Sequence, residues 1–255
     1  MEHIESKLGI YTVIGYPDKQ SSQQILAFLS DSPKVGFIEL GFPFSDPVAD
    51  GPVIQMAHAQ SLLNGTKLKD LFDSAKFVKS SMAKNNRSKT IIAMGYLNQV
   101  LQYGMKKFLC DCGDSGISHI IIPDMPPEAY QLHYKDLFLE SSVSPVFLFT
   151  PNCTDQRIIQ IDKYSNEYVY AVSGLSITGV NSENDFDSRR KYISRITKLK
   201  LKNKIIFGFG IKNTNEVAQV IDAGLFPVVG SAFISCLQDC DLIENNVKNF
   251  LDKII

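Results

Sequence analysis

The sequence has almost no excess charge and lacks long apolar runs. Its 26 basic and 27 acidic side chains leave a net charge of −1, which excludes the strongly basic surface of proteins that bind nucleic acid or anionic membranes. No apolar run approaches the ~20 residues that cross a bilayer, and residues 1–7 lack the apolar stretch of a signal peptide. We therefore expect a cytoplasmic protein with neither nucleic acid nor membrane as a partner.

Metal-binding patterns are also missing. The five cysteines are an odd number, and the pairs Cys110/Cys112 and Cys236/Cys240 lack the spacing and the second ligand cluster of a zinc site. We interpret them as reduced thiols and predict no metal. The four histidines lie in different segments, and only His119, beside the apolar run 120–122, is expected in the interior. We interpret the histidines as structural rather than as ligands or bases.

What the chain does contain is a regular alternation of strand and helix patterns. Eight apolar, β-rich runs occur at residues 10–14, 37–40, 90–94, 119–122, 145–149, 168–172, 204–207 and 227–229. Between the second and third runs, apolar residues recur at the spacing of an amphipathic helix, namely Leu68, Leu71, Phe72, Ala75 and Val78. The seventh helix is predicted to begin at the N-cap Asn213, with Glu216 completing a capping box, and to stop at Gly224.

Eight alternating units in 255 residues, 44% of them hydrophobic and with no linker between them, predict an α/β fold. Their number, order and size are those of a (β/α)8 TIM barrel, a single domain spanning residues 1–255. An open doubly wound sheet is the alternative. The first strand is followed by Gly15, with Pro17 two residues later, which leaves no glycine-rich cradle for a dinucleotide.

One carboxylate stands in an unusual place. Glu39 lies inside the second apolar run, and a buried strand offers an ionised side chain no inexpensive position. Asp46 and Asp50 follow in a stiff loop with three prolines at 43, 47 and 52. Because catalytic groups of barrels gather at the carboxyl ends of the strands, paired acids here suggest proton-transfer chemistry.

Glycines form a second signal at the ends of the last three strands. Gly179 follows the sixth run, Gly210 the seventh, and Gly230 with Ser231 the eighth. Unobstructed backbone N–H groups, a helix start and a serine hydroxyl make an anion cradle where barrels commonly hold phosphate. These four residues are therefore predicted to bind a phosphate group.

Residues 37–55, FIELGFPFSDPVADGPVIQ, resemble the signature of the tryptophan synthase alpha subunit family. Shorter matches at 15–17, 94–98, 123–126, 208–211 and 230–232 extend the resemblance over essentially the whole chain. It implies a (β/α)8 barrel that cleaves indole-3-glycerol phosphate to indole and glyceraldehyde 3-phosphate by a cofactor-free retro-aldol step. It also implies a beta subunit that carries pyridoxal phosphate, receives the indole and completes an α2β2 complex in tryptophan biosynthesis.

The resemblance also implies roles for individual residues. Glu39 would be the general acid/base, and Asp50 would bind the indole N–H and stabilise the developing cation. Tyr170 matches the family tyrosine that packs near the catalytic carboxylate and would position the substrate. Tyr96 and Tyr11 are weaker candidates for the same pocket. The positions of Pro43 and Asp46 are ones that face the beta subunit.

Two alternatives remain open. Gly174 and Ser176 depart from the family pattern in the segment that begins the lid, so the chain could be a catalytically weak barrel that mainly activates its beta subunit. The retained Glu39 and Asp50 favour the lyase, because an activator needs neither acid. Another phosphate-binding barrel, such as an isomerase of amino-acid biosynthesis, would explain the glycines but not the loop from Asp46 to Asp50.

Overall fold

The computed structural model describes residues 6–172, 183–208, 210–237 and 243–254, with the backbone alone at 183–186. Nine strands occur in these ranges: β1 Gly9–Val13, β2 Phe37–Gly41, β3 Thr90–Met94, β4 His119–Ile121, β5 Ser144–Pro145, β6 Leu148–Phe149, β7 Tyr168–Val172, β8 Lys204–Gly208 and β9 Phe226–Val229. The helices are α1 Lys19–Asp31, α2 Pro52–Leu63, α3 Lys69–Lys84, α4 Leu97–Tyr103, α5 Met105–Ser115, α6 Pro127–Ala129, α7 Lys135–Leu139, α8 Asp155–Tyr164, α9 Glu183–Lys198, α10 Thr214–Asp222, α11 Ser231–Cys236 and α12 Ile243–Ile254, with a π-helical turn at Tyr130–Tyr134.

The strands form one curled parallel sheet in the order β5-β4-β3-β2-β1-β9-β8-β7-β6. Except between β5 and β6, helices connect successive strands, and they cover the outside of the sheet. β1, β2 and β7 are buried at every residue, as expected of parallel strands with helices on one face and a filled barrel interior on the other. The eight predicted runs are all found as strands, and the predicted α/β barrel is confirmed.

One predicted strand is divided. The run 145–149 forms β5, which pairs with β4, and β6, which pairs with β7. Between them, the Val146 N–H donates to the Ile120 carbonyl at 2.9 Å, and the Phe147 carbonyl accepts from the Tyr170 N–H at 2.9 Å. The segment therefore changes its pairing partner half-way along. Since β5 and β6 are the first and last strands of the sheet order, residues 144–149 connect its two edges.

The predicted helix signals are largely reproduced. In α3, Leu71, Phe72, Ala75 and Val78 form the buried face. Asn213 caps α10 by accepting from the Glu216 N–H at 3.1 Å, and Gly224, with φ +82°, follows its end. The Glu216 carboxylate accepts from the Lys212 N–H instead of closing the box on Asn213.

No helix in the described ranges is long and apolar enough to cross a bilayer. Over the same ranges, no group of three or more His, Cys, Asp and Glu side chains is placed to hold a metal ion. Cys110, Cys112, Cys153 and Cys236 are free thiols, and Cys240 lies outside the described residues.

Candidate active site

Glu39 is the middle residue of β2 and is completely buried. Its neighbours in register are Tyr11 on β1 and Ile92 on β3. Neither carboxyl oxygen has a hydrogen-bond partner among the residues the structure describes. Burial, with a smaller contribution from the nearby Asp50 charge, raises the pKa of Glu39 to about 8, because the charged form loses its hydration. Glu39 therefore holds its proton at pH 7.

Asp50 lies at the end of the loop after β2, one residue before the N-cap of α2. Its Oδ2 accepts from the Tyr96 hydroxyl at 2.8 Å, and that hydroxyl accepts from the Ala49 N–H at 3.0 Å. Burial raises the pKa of Asp50 to about 6, while the Tyr96 hydrogen bond opposes the rise. Asp50 is thus mostly ionised at pH 7, and its Oδ1 has no protein partner within the described part of the chain.

Two buried tyrosines complete this cluster. Tyr11 is 4% and Tyr170 2% exposed. Burial raises both pKa values well above the ordinary value, and the charges of Asp50 and Glu39 raise them further. Both phenols therefore stay protonated next to the acids. Glu39, Asp50 and the three predicted tyrosines are brought together at one end of the barrel.

Glycines make room for these phenols, a role that sequence reasoning missed. A Cβ on Gly41 would lie 2.3 Å from the Tyr11 hydroxyl oxygen, and one on Gly208 would lie 1.9 Å from that of Tyr170. No real Cβ contact is that short. Because both contacts run between residues distant in sequence, no local pattern predicts them.

Gly41→Ala is expected to displace Tyr11. The kcat/KM of a reaction catalysed at this cluster should then fall by roughly tenfold or more, since small displacements at a reacting centre slow the reaction strongly. Overpacking should also lower the free energy of unfolding by about 1–3 kcal/mol. Steady-state kinetics and urea denaturation measure the two effects.

The matched control is Gly9→Ala, whose Cβ would meet the Phe37 ring at 2.2 Å at the amino-terminal end of the same sheet. It should destabilise the protein similarly and leave kcat/KM near the wild-type value. Equal kinetic losses in the two variants would contradict the role assigned to Gly41.

His58 was wrongly expected outside the interior. It lies in α2 and is 1% exposed, and burial lowers its pKa to about 4, so the ring is neutral. Its Nε2 is 3.2 Å from the Tyr11 hydroxyl and 3.6 Å from Asp50 Oδ2. The burial of His58 could have been predicted from helical spacing, because it lies four residues after Ile54 and one after Ala57, on the buried face of α2. His119, expected in the interior, is buried at the start of β4.

The predicted phosphate-binding residues are only partly within the described chain. Gly179 lies outside it, as do Gly174 and Ser176. Gly210 follows β8 with φ +74°, and Gly230 precedes α11, which begins at Ser231. A Cβ on Gly230 would lie 3.5 Å from the Tyr11 side chain, so Gly230 borders the cluster of acids and phenols.

The predicted partner-facing residues differ in exposure. Asp46 is exposed and accepts a hydrogen bond from the Ser45 hydroxyl. Pro43 is buried, and its carbonyl accepts from Gln99 Nε2 at 2.8 Å. Near Asp46, Val48 is 82% exposed. The surface part of this loop is therefore the stretch around Asp46 and not Pro43.

Comparison with known proteins decides the family. A family model described as tryptophan synthase alpha chain matches residues 2–254. The chain belongs to this family. It is 39% identical to the tryptophan synthase alpha chain of Christiangramia forsetii over 97% of this chain and 93% of that one. The alpha chain of Flavobacterium psychrophilum is 40% identical over 95% of this chain and 91% of the relative.

Solved structures agree with the family. The tryptophan synthase complex from Pyrococcus furiosus contains a chain that superposes with a TM-score of 0.84 at 29% identity, covering 98% of both chains. The enzyme class and reaction predicted from the sequence are those of this family: a carbon–carbon lyase of tryptophan biosynthesis that cleaves indole-3-glycerol phosphate.

Proposed function

We propose that the chain releases indole from indole-3-glycerol phosphate with Glu39 as general acid/base and Asp50 as its anionic partner. The observation that carries this proposal is the contrast between two buried carboxyl groups. Burial leaves the proton on Glu39 at pH 7, whereas Asp50, held by Tyr96, is mostly ionised. Neighbouring acids whose environments separate their pKa values are suited to opposite roles.

Glu39 would act twice in one turnover. It first gives its proton to indole C3, which makes a transient indolenine with positive charge on the ring nitrogen. As a carboxylate it then takes the proton of the hydroxyl on the carbon attached to C3. The bond between C3 and that carbon breaks, its electron pair returns to the indole ring, and the carbon becomes the aldehyde of glyceraldehyde 3-phosphate. Glu39 ends protonated, ready for another cycle.

Asp50 would accept a hydrogen bond from the indole N–H through Oδ1, the oxygen that has no protein partner in the described part of the chain. Its charge then stabilises the cation that develops on the ring nitrogen. Tyr96 fixes Oδ2, which limits rotation of the carboxylate. Tyr11 and Tyr170, both next to the acids, would position the indole and the reacting hydroxyl.

Phosphate would bind to Gly179, Gly210, Gly230 and Ser231. The left-handed backbone at Gly210 and the position of Gly230 beside Tyr11 support this assignment, because an anchored phosphate would then place the indole over the acids. No cofactor takes part in these steps, and pyridoxal phosphate is expected only on the partner beta subunit.

We further propose that residues 1–255 form one domain, that the protein is cytoplasmic, and that it pairs with a beta subunit in an α2β2 complex. One similar structure comes from the tryptophan synthase a2b2 complex of P. furiosus. The exposed loop around Asp46 leads directly to Asp50 and would link partner binding to the acid cluster. Without the beta subunit we expect a monomer, which sedimentation at micromolar concentration would check.

The test is a turnover assay on indole-3-glycerol phosphate with and without the beta subunit. Indole release by the chain alone, increased by the partner, is the expected result. If the chain releases none under either condition but still accelerates the beta reaction, the activator hypothesis replaces this one.

The pH dependence follows from the two acids. We expect kcat/KM to be greatest between pH about 6 and about 8. It falls at lower pH as Asp50 takes a proton, and at higher pH as Glu39 loses the proton that it must donate. Because the acids interact, the two midpoints are apparent values of the pair.

Tyr96→Phe tests whether the acid limb of this profile arises from Asp50 or from ionisation of the substrate phosphate. The Tyr96 hydrogen bond lowers the pKa of Asp50, so its loss should move the acid limb to higher pH and leave the alkaline limb in place. A stationary acid limb would mean that Asp50 does not control it.

A further inference from the structure

His58 contacts two residues of the site and one residue of the loop before it. Its Nδ1 accepts from the backbone N–H of Phe44 at 3.2 Å. On the other side of the ring, Nε2 lies 3.2 Å from the Tyr11 hydroxyl and 3.6 Å from Asp50 Oδ2. The ring therefore stands between the loop after β2 and the acid cluster.

These contacts determine which nitrogen carries the proton. A neutral imidazole has one N–H, and the nitrogen that accepts from a backbone N–H cannot be the protonated one. Since Nδ1 accepts from Phe44, the hydrogen is on Nε2. Nε2 must then donate to the Tyr11 oxygen, because it has no lone pair with which to accept.

The direction of that hydrogen bond orients Tyr11. Its oxygen accepts from His58, so the phenol proton must point elsewhere, and the ring lies beside Glu39 in register. The Nε2–H dipole also faces Asp50 Oδ2, beyond hydrogen-bond distance but on the side already held by Tyr96. Oδ1 is the oxygen left for a ligand.

We propose that His58 is a positioning residue for this reaction. As the Nε2–H tautomer it fixes the Tyr11 hydroxyl and the orientation of Asp50 relative to Phe44 in the loop after β2. The inference rests on the proposed function and adds to it a residue outside the family resemblance. His58 touches no reacting atom and acts through Tyr11 and Asp50.

Two substitutions divide the contacts of His58 between them. His58→Gln places an amide N–H near Nε2 and keeps the donor to Tyr11, while His58→Asn places an amide oxygen near Nδ1 and keeps only the acceptor for Phe44. We expect His58→Asn to lower kcat by roughly tenfold or more with a smaller change in KM. His58→Gln should recover most of that loss. Equal kcat values in the two variants would overturn the proposal.

The control variant is Ser61→Ala, which removes a buried hydroxyl of the same helix that donates to the Ile14 carbonyl at 2.6 Å. It should lower the unfolding temperature without changing kcat, and it measures what a purely structural loss in α2 does. A kcat loss in Ser61→Ala equal to that in His58→Asn would assign the effect to the helix and overturn the role of His58.

A measurement on the unmutated chain does not depend on the variants folding. The ¹⁵N NMR spectrum of histidine-labelled protein should show for His58 a protonated Nε2 and an unprotonated Nδ1 at pH 7. The opposite tautomer or a charged ring overturns the proposal. If wild-type protein releases indole and the His58 outcomes fail, only this inference falls; if wild-type protein releases none, the proposed function falls with it.

Discussion

Replacing Glu39 by glutamine is expected to lower kcat for indole release by roughly three orders of magnitude. Glutamine keeps the size of the side chain but cannot donate a carboxylic proton to C3 or remove the hydroxyl proton afterwards. Both proton transfers should be lost together, because the proposed mechanism assigns both to this one residue. Single-turnover assays, which separate chemistry from product release, measure the effect.

Glu39→Asp is the matched comparison, because it keeps the acid and shortens its reach by one methylene. It should retain more activity than Glu39→Gln. If the glutamine variant releases indole at the wild-type rate, Glu39 is not the general acid/base.

Glu39→Gln should also be more stable than wild type at alkaline pH. The pKa of Glu39 rises from 4.5 to about 8 on folding, so between these values the folded state binds more protons than the unfolded state. The stabilising contribution is therefore fully present below pH 4.5 and is lost as pH rises to about 8, a change on the order of 4 kcal/mol. Urea denaturation at pH 5 and pH 8.5 should show this dependence in wild type and a weaker one in Glu39→Gln.

Asp50→Asn is expected to lower kcat by about two orders of magnitude. Asparagine has the shape of aspartate but no charge, so the cation on the indole nitrogen loses its counter-ion while substrate binding is less affected. The acid limb of the pH profile should disappear with the carboxylate that causes it. Steady-state kinetics across the pH range measure both effects.

The control for Asp50 is Asp162→Asn, because Asp162 is also a buried aspartate. Its carboxylate accepts from the Lys202 and Asn203 backbone N–H groups before β8, at the opposite end of the barrel. This variant should lose stability and keep kcat. An Asp50→Asn variant with wild-type kcat would show that the developing cation needs no carboxylate at this position.

Much of the fold could be predicted because its signals are local. Alternating apolar runs and amphipathic stretches report strands and helices within ten to twenty residues. The division of the run 145–149 could not be predicted, since it depends on pairing with β4 on one side and β7 on the other. The sequence of those five residues does not indicate which strand each residue will pair with.

The candidate site was predictable to a similar extent. Glu39 and Asp50 were conspicuous as acids in an apolar run and a proline-rich loop. His58 was missed because its significance depends on Tyr11, 47 residues away in sequence. Gly41 was missed for the same reason, since it makes room for the Tyr11 hydroxyl across a strand pair.

By itself the sequence determined the barrel and the family and singled out Glu39 and Asp50 as candidate acids, because periodicity and residue type act over short distances. Only the tertiary structure decided which acid has the higher pKa, which oxygen of Asp50 has no partner in the described part of the chain, and which nitrogen of His58 accepts from a backbone N–H. Those properties depend on burial and on the direction of hydrogen bonds between strands, loop and helix. Such properties arise when distant segments meet and water is removed from between them.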